Sequence, residues 1–294
     1  MLWSSVKNNL KTILRDPTTA LAALVSIIMQ FMYGLNVDEF VTSFDIHYAE
    51  NATRNYNYAM NVMMDIIAKP VFQIAFPFLG VIVAVNIFKE KRSNVYDIIM
   101  AEQLSFLQFF LSKLIAYYIL GLGMSMVLGL GFEFVYIITN NPFWMGLEWF
   151  LILAAQLAWM FALYSSCLLI PIALGVFAAS VSGVSVLAPI MNCAYYYLPH
   201  MLPSRMYSST KIYDYLHVVP MKLRIFMKYW PVQLEDWSKV TYGMAATDES
   251  GKALYSSFTS TFQDAAASYF AMIALAVVLL TASYFLLKRR YEKM

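Results

Sequence analysis

The sequence predicts an all-α polytopic membrane protein, and three observations carry that reading. Apolar residues fill 61% of the 294 positions, where a soluble globular domain has roughly 45–50%. Charged residues make up only 13%, about half the usual share. Charge is also absent from five long runs, 17–37, 70–88, 114–132, 149–204 and 265–287. A bilayer core about 30 Å thick takes about 20 apolar residues in a helix, so four of the runs suit one crossing each. The run 149–204 is too long, because its 56 residues would extend about 84 Å as one helix. It has to fold back, and the expected hinge is Ser165-Ser166-Cys167 through Pro171, where proline removes a helix hydrogen bond. The result is a single transmembrane domain, 1–294, with spans at roughly 18–37, 69–88, 110–138, 147–169, 172–194 and 265–287.

Residues 1–16 come first and are not a span. Trp3, Val6, Leu10, Ile13 and Leu14 recur at helical spacing, with Ser4, Lys7, Asn8, Lys11 and Arg15 on the other side. That pattern is an amphipathic helix lying in the membrane interface, ended by Asp16-Pro17. The basic start followed by an apolar stretch superficially resembles a signal peptide, but Asn36-Val37-Asp38-Glu39 after Leu35 offers no small-residue cleavage site. The first span is therefore expected to be retained.

Orientation follows from Lys and Arg near the span ends. With the N-terminus inside, the inner segments hold 11 basic residues (Lys7, Lys11, Arg15, Lys89, Lys91, Arg92, Lys113, Lys288, Arg289, Arg290, Lys293). The short outer loops 38–68 and 139–146 hold only Arg54. Both termini are expected in the cytoplasm, at the plasma membrane. The outer loop 191–264 carries Tyr195, Tyr196, Tyr197, Tyr207, Tyr213, Trp230 and Trp237, interrupted by Pro199, Pro203, Pro220 and Pro231. Aromatics of this kind settle at headgroup depth, so short re-entrant or interfacial helices are expected there, with a compact extracellular cap as the alternative.

The search for catalytic chemistry finds no phosphate loop, since Gly251-Lys252 lacks the earlier glycine and the following hydroxyl. His47, His200 and His217 are scattered without ligand spacing, so no metal site is expected. Cys167 and Cys193 lie inside apolar runs and read as small buried hydrophobes. Glu133 falls at the outer end of the third span and reads as a solvated helix end. A net charge of +2 gives no hint of nucleic acid. No span holds the Asp/Glu/His relay of a proton-driven pump. Catalytic residues are expected to be none.

Two small-residue patterns read as close helix packing: Gly121, Ser125 and Gly129 in the third span, and Ala173, Gly175, Ala178, Ala179, Ser182 and Gly183 in the fifth. The first two spans instead carry bulky, adaptable groups: Met29, Phe31, Met32 and Tyr33, then Phe72, Phe76 and Phe78. Met- and Phe-rich surfaces tolerate varied partners, which makes these seven the candidates for a translocation path. Packing against lipid is the plainer role for any one of them.

The most informative stretch is 88–113, FKEKRSNVYDIIMAEQLSFLQFFLSK, on the inner side between the second and third spans. Val95, Ile98, Ile99, Ala101 and Leu104 make one apolar side of a helix, with Glu90, Asp97 and Glu102 available to a partner. Here the chain resembles the permease subunits of type-2 ABC exporters, whose first cytoplasmic loop reads E-x-R-x-G-T-x-E-L-L, then P-V-S, then G-K. Glu90 and Arg92 hold the charged start, Asp97 the acidic position and Ile98-Ile99 the aliphatic pair. Leu104-Ser105 stands at the V-S place and Ser112-Lys113 at the G-K place, while Asn94-Val95 replaces Gly-Thr and Gln103 replaces the proline. Arg15-Asp16-Pro17 is similar to the family's N-terminal elbow, and the layout of elbow, six spans and long loop before the sixth covers the whole chain.

The resemblance implies a transmembrane half that dimerises with a second copy or a homologous permease and seats a coupling helix (89–107) on each of two separate ATPase subunits. Glu90, Arg92, Tyr96, Asp97, Glu102 and Gln103 are the coupling residues it implies. ATP and Mg would belong to the partner ATPase, with no cofactor in this chain. Met- and Phe-rich walls favour a hydrophobic or amphipathic cargo, a peptide first and a drug or lipid next. The competing readings are a stand-alone channel or ion-coupled secondary transporter, and an intramembrane enzyme.

Overall fold

The computed structural model describes residues 2–42, 74–92, 105–125, 165–181, 239–247 and 253–291, with isolated positions between 158 and 195. In chain order the elements are α1 (Leu2–Arg15), α2 (Pro17–Thr42), α3 (Phe76–Arg92), α4 (Phe106–Gly121), α5 (Leu169–Val181), β1 (Lys239–Thr247), β2 (Ala253–Thr261) and α6 (Phe262–Tyr291). Outside the β1–β2 hairpin, the described chain is helical. Among the described residues two stretches are long and apolar enough to cross a membrane, Phe106–Ser125 and Tyr269–Arg289, or three if α1 and the start of α2 form one broken span.

Helix α1 ends where the sequence places its stop. Asp16 caps α2: its carboxylate accepts from the Thr19 backbone N–H at 3.2 Å, and Pro17 at the first helical position has no N–H to lose. The axis turns by 76° across this junction. Ser105 caps α4 in the same way, accepting from the Gln108 N–H at 3.3 Å. That cap starts α4 at Phe106, four residues before the expected span. Beyond Gly121 the helix widens into a π-type turn over 122–125.

Helix α5 is the hub. It packs against α3 on one side and α6 on another, and touches α4, and nearly every described side chain along it is buried. Glycine makes the α3–α5 approach possible: a Cβ on Gly175 would run into the Gly80 carbonyl and sit 3.0 Å from Val83 Cβ. Gly175, Ala173, Ala178 and Ala179 of the fifth span thus serve packing within the chain, while Ser182 and Gly183 lie outside the described residues. The core around α5 contains Phe76, Leu79, Tyr117, Leu168 and Ile170, all essentially inaccessible.

Two expectations need correction. The hinge at 165–171 is absent: the chain is helical from Ser165 to Val181, with a single turn at Leu168. Pro171 lies in the first turn of α5, where the N–H it lacks has little to bond, and the Ile172 N–H still reaches the Leu168 carbonyl at 3.5 Å. The second correction is in the long loop. Residues 239–261 form an antiparallel hairpin, registered Lys239↔Thr261 through Thr247↔Ala253, rather than helices. Thr and Tyr occur in both strands, with Val in β1 and Phe in β2, residue types that fit a pleated surface. The rest of the loop, apart from isolated helical positions near its start, lies outside the described residues.

Candidate functional site

Two linked sets of polar groups lie where α1, α2, α3 and α4 meet, near the end of α3 that leads into 93–104. Asp16 is the centre of one cluster. Its carboxylate accepts from the hydroxyls of Thr18 at 2.5 Å and Thr19 at 3.0 Å, besides the Thr19 N–H. Lys89 Nζ of α3 meets the same carboxylate at 2.8 Å and donates to the Thr18 hydroxyl at 2.6 Å. One turn back on α3, Asn86 Nδ2 donates to the buried Thr19 hydroxyl at 2.9 Å and to the Ile82 carbonyl at 3.1 Å. Burial alone would raise the Asp16 pKa. The ammonium of Lys89 and the donors from Thr18 and Thr19 outweigh it, and hold the carboxyl well below the ordinary aspartate value. The bend between α1 and α2 is thereby fastened to α3.

The next residue of α3 makes a second link in another direction. Glu90 forms an ion pair with Lys113 of α4, whose side chain is 8% exposed against 20% for Glu90. The Lys113 ammonium also lies 4.7 Å from the centroid of the Phe109 ring, a cation–π contact that strengthens as water is excluded. Beside it, Ser112 accepts from Ser5 Oγ at 3.1 Å and Asn9 Nδ2 at 2.8 Å of α1, and donates to the Phe109 carbonyl at 2.7 Å. Lys113, Tyr117, Phe110, Ile87 and Leu287 line a small pocket under this joint.

Successive residues 89 and 90 therefore tie the end of α3 to the start of α2 and to α4. Both links are charge-assisted contacts between side chains.

The expected site residues are distributed unevenly. Glu90 is engaged within the chain rather than held on an open face. Arg92 is the last residue of α3, and Tyr96, Asp97, Glu102 and Gln103 lie outside the described residues. Of the path candidates, Met29 and Met32 are about half exposed on α2, at 44% and 50%. Phe31 and Tyr33 lie on the same helix. Phe76 is fully buried in the core and Phe78 packs partly against it, so the structure separates these two from Met29 and Met32. Phe72 lies outside the described residues.

Sequence reasoning missed Asp16, Thr18, Thr19, Lys89 and Asn86 as one cluster. The Asp-Pro-Thr-Thr run carried a capping signal, but its tie to α3 spans about 70 residues of chain. The inward face of α2 was missed too. Among its described side chains the fully buried ones are Thr19, Ser26 and Gln30, and Gln30 Nε2 reaches the Ser26 carbonyl at 3.2 Å and the Met124 carbonyl of the π-type turn at 3.5 Å. Among the described residues no group of three His, Cys, Asp or Glu comes together. No family model matches the chain, and no curated protein matches it.

Proposed function

We propose that the chain is the transmembrane subunit of an ATP-driven ABC exporter of the type-2 class, working as a dimer with separate ATPase subunits. The observation that carries this reading is the segment 88–113. Its E-x-R start, acidic position, aliphatic pair and Ser-Lys end match the family's first cytoplasmic loop in order and approximate spacing. The geometry around it supports a transmitting role. Segment 93–104 is flanked in sequence by α3 and α4; Glu90–Lys113 joins the end of α3 to the middle of α4, and Asp16–Lys89 joins it to the α1–α2 bend. A push from an ATPase on 93–104 then moves three helices together.

In this reading α1 is the elbow, six spans form each half, and both termini are cytoplasmic at the plasma membrane. The cargo is hydrophobic or amphipathic, with a peptide ahead of a drug or lipid. Met29 and Met32, the half-exposed candidates on α2, are its first contacts at the dimer interface. ATP and Mg are handled by the partner, because this chain has no phosphate loop.

The test is co-purification. Tagged chain drawn from its native membrane should bring down an ATPase with a phosphate loop, and the pair should hydrolyse ATP and move cargo into inverted vesicles. The chain stripped of that partner should show no turnover above background. Turnover by the stripped chain, or transport without any ATPase, ends the exporter reading.

A further inference from the structure

The two sides of α1 have different partners in this structure. One side faces protein: Val6 and Ile13 are buried, Leu10 packs partly against the core, and Ser5 and Asn9 bond to Ser112 of α4. The opposite side is open. Trp3 is 70% exposed and Leu14 55%. On a helix turning 100° per residue, Lys7, Lys11 and Arg15 follow them around the surface, and all three are exposed. No acidic residue occurs anywhere in α1.

We infer that this outer side of α1 is a docking surface for anionic phospholipid, with Trp3 and Leu14 seated at the level of the glycerol backbone and Lys7, Lys11 and Arg15 on the phosphates. Three features of α1 and its surroundings select this occupant. The 76° turn between α1 and α2 lays α1 nearly parallel to any bilayer that α2 crosses. An exposed indole beside an exposed leucine suits the boundary between headgroups and chains. Three exposed cations next to that apolar edge, with no ion pair among the described residues, complement a negatively charged leaflet, and each strengthens association roughly fivefold near such a surface. Lys89, by contrast, is already neutralised by Asp16 and adds nothing to the patch. Because the inner side of α1 is anchored on Ser112, bound lipid would bear on the Glu90–Lys113 joint. The inference rests on the reading that the chain spans a membrane, and its test separates the two.

A fluorophore is attached at Leu14→Cys in a Cys167→Ala/Cys193→Ala chain reconstituted without any ATPase. The vesicles are phosphatidylcholine containing a minor fraction of phosphatidylglycerol, and one or the other lipid is brominated near the glycerol backbone. The inference expects quenching by brominated phosphatidylglycerol to report at least a fivefold local enrichment over its bulk fraction. The enrichment should shrink at high salt, as screening requires, and vanish in the Lys7→Gln/Lys11→Gln/Arg15→Gln variant. No enrichment in the unaltered chain, or enrichment that survives the triple variant, overturns it. A second label at Ile28→Cys on α2, about 16 Å along the helix from Pro17, is read with the same two lipids brominated near their chain ends and reports embedding. Failure of both lipids to quench that site would refute the membrane-spanning reading itself. Quenching there without enrichment at position 14 would refute only the docking surface. Charge-dependent binding of an added soluble protein, with no lipid preference, would assign the patch to an acidic protein face and also overturn the proposal.

Discussion

Removing one member of the Glu90–Lys113 pair should cost more than removing both. Lys113 is nearly enclosed, with 8% of its side chain exposed, while Glu90 retains 20%. Breaking a buried ion pair from one side costs about 3–5 kcal/mol, because the surviving charge is left without a partner. Glu90→Gln strands the ammonium, the deeper group, and its expected cost is about 3 kcal/mol. Lys113→Met strands a carboxylate that reaches some water, and also gives up the contact with Phe109. Its expected cost is about 2 kcal/mol. The double variant Glu90→Leu/Lys113→Met leaves no stranded charge and should return to within about 1 kcal/mol of the unaltered chain. The assay is reversible unfolding in mixed micelles, followed by helical circular dichroism as denaturing detergent is titrated. A coupling below about 0.5 kcal/mol, with the two costs simply adding, would refute the claim that this pair is a joint.

Three further outcomes are expected. Asp16→Ala should cost about 1–2 kcal/mol through loss of the α2 cap. The Asp16 carboxyl is depressed below its ordinary value of 3.8, so its contribution is complete above that value and lost as pH falls below it. Stability should therefore drop more between neutral pH and pH 3 in the unaltered chain than in Asp16→Asn, and an equal drop would deny the clasp. Gly175→Ala should cost about 1–3 kcal/mol by forcing α5 off α3, whereas Gly123→Ala, which has open space around it, should change stability little. Equal costs at the two glycines would count against the close approach. Single cysteines at Ser93 and Ser209, in a chain lacking Cys167 and Cys193, should label from inside and outside respectively. Ser93 labelling by an impermeant reagent from outside intact cells would reverse the proposed orientation.

Much of the helix layout was legible because it depends on local chemistry. The spacing of Val6, Leu10 and Ile13, and the Asp16-Pro17 stop, gave α1 nearly residue for residue. The charge-free run 265–287 gave the core of α6. What the sequence could not show is where a face points. The apolar stripe of α1 reads as a single membrane surface, yet Val6 and Ile13 belong to the protein and Trp3 and Leu14 do not. That division is set by Ser5 and Asn9 meeting Ser112, more than 100 residues away. The intrachain link of Glu90 was hidden for the same reason: only the fold places Lys113 beside that carboxylate. The hairpin was missed through the choice of signal. Counting charges locates spans but ignores the Thr- and Tyr-rich stretches on either side of Asp248-Glu249-Ser250-Gly251, which carry a strand–turn–strand pattern. Pro171 misled in the opposite direction, because its effect depends on whether it falls in the first turn of a helix or later.

The central claim is that 93–104 takes force from an ATPase and that residues 89 and 90 pass it on. Asp97 and Glu102 are the carboxylates of that segment, and reversing both attacks docking without touching the Asp16–Lys89 or Glu90–Lys113 links. The most direct measurement is partner binding and vesicle transport by Asp97→Lys/Glu102→Lys, alongside each single variant, in chain shown to reach the membrane as a dimer. Asp97→Lys alone also removes a carboxylate near a proposed helix start, worth about 0.3–1 kcal/mol, and Glu102→Lys separates that effect from lost docking. The account predicts that the double variant binds the ATPase at least tenfold more weakly and loses ATP-driven transport. Full binding together with full transport would contradict it and leave 93–104 a solvated linker.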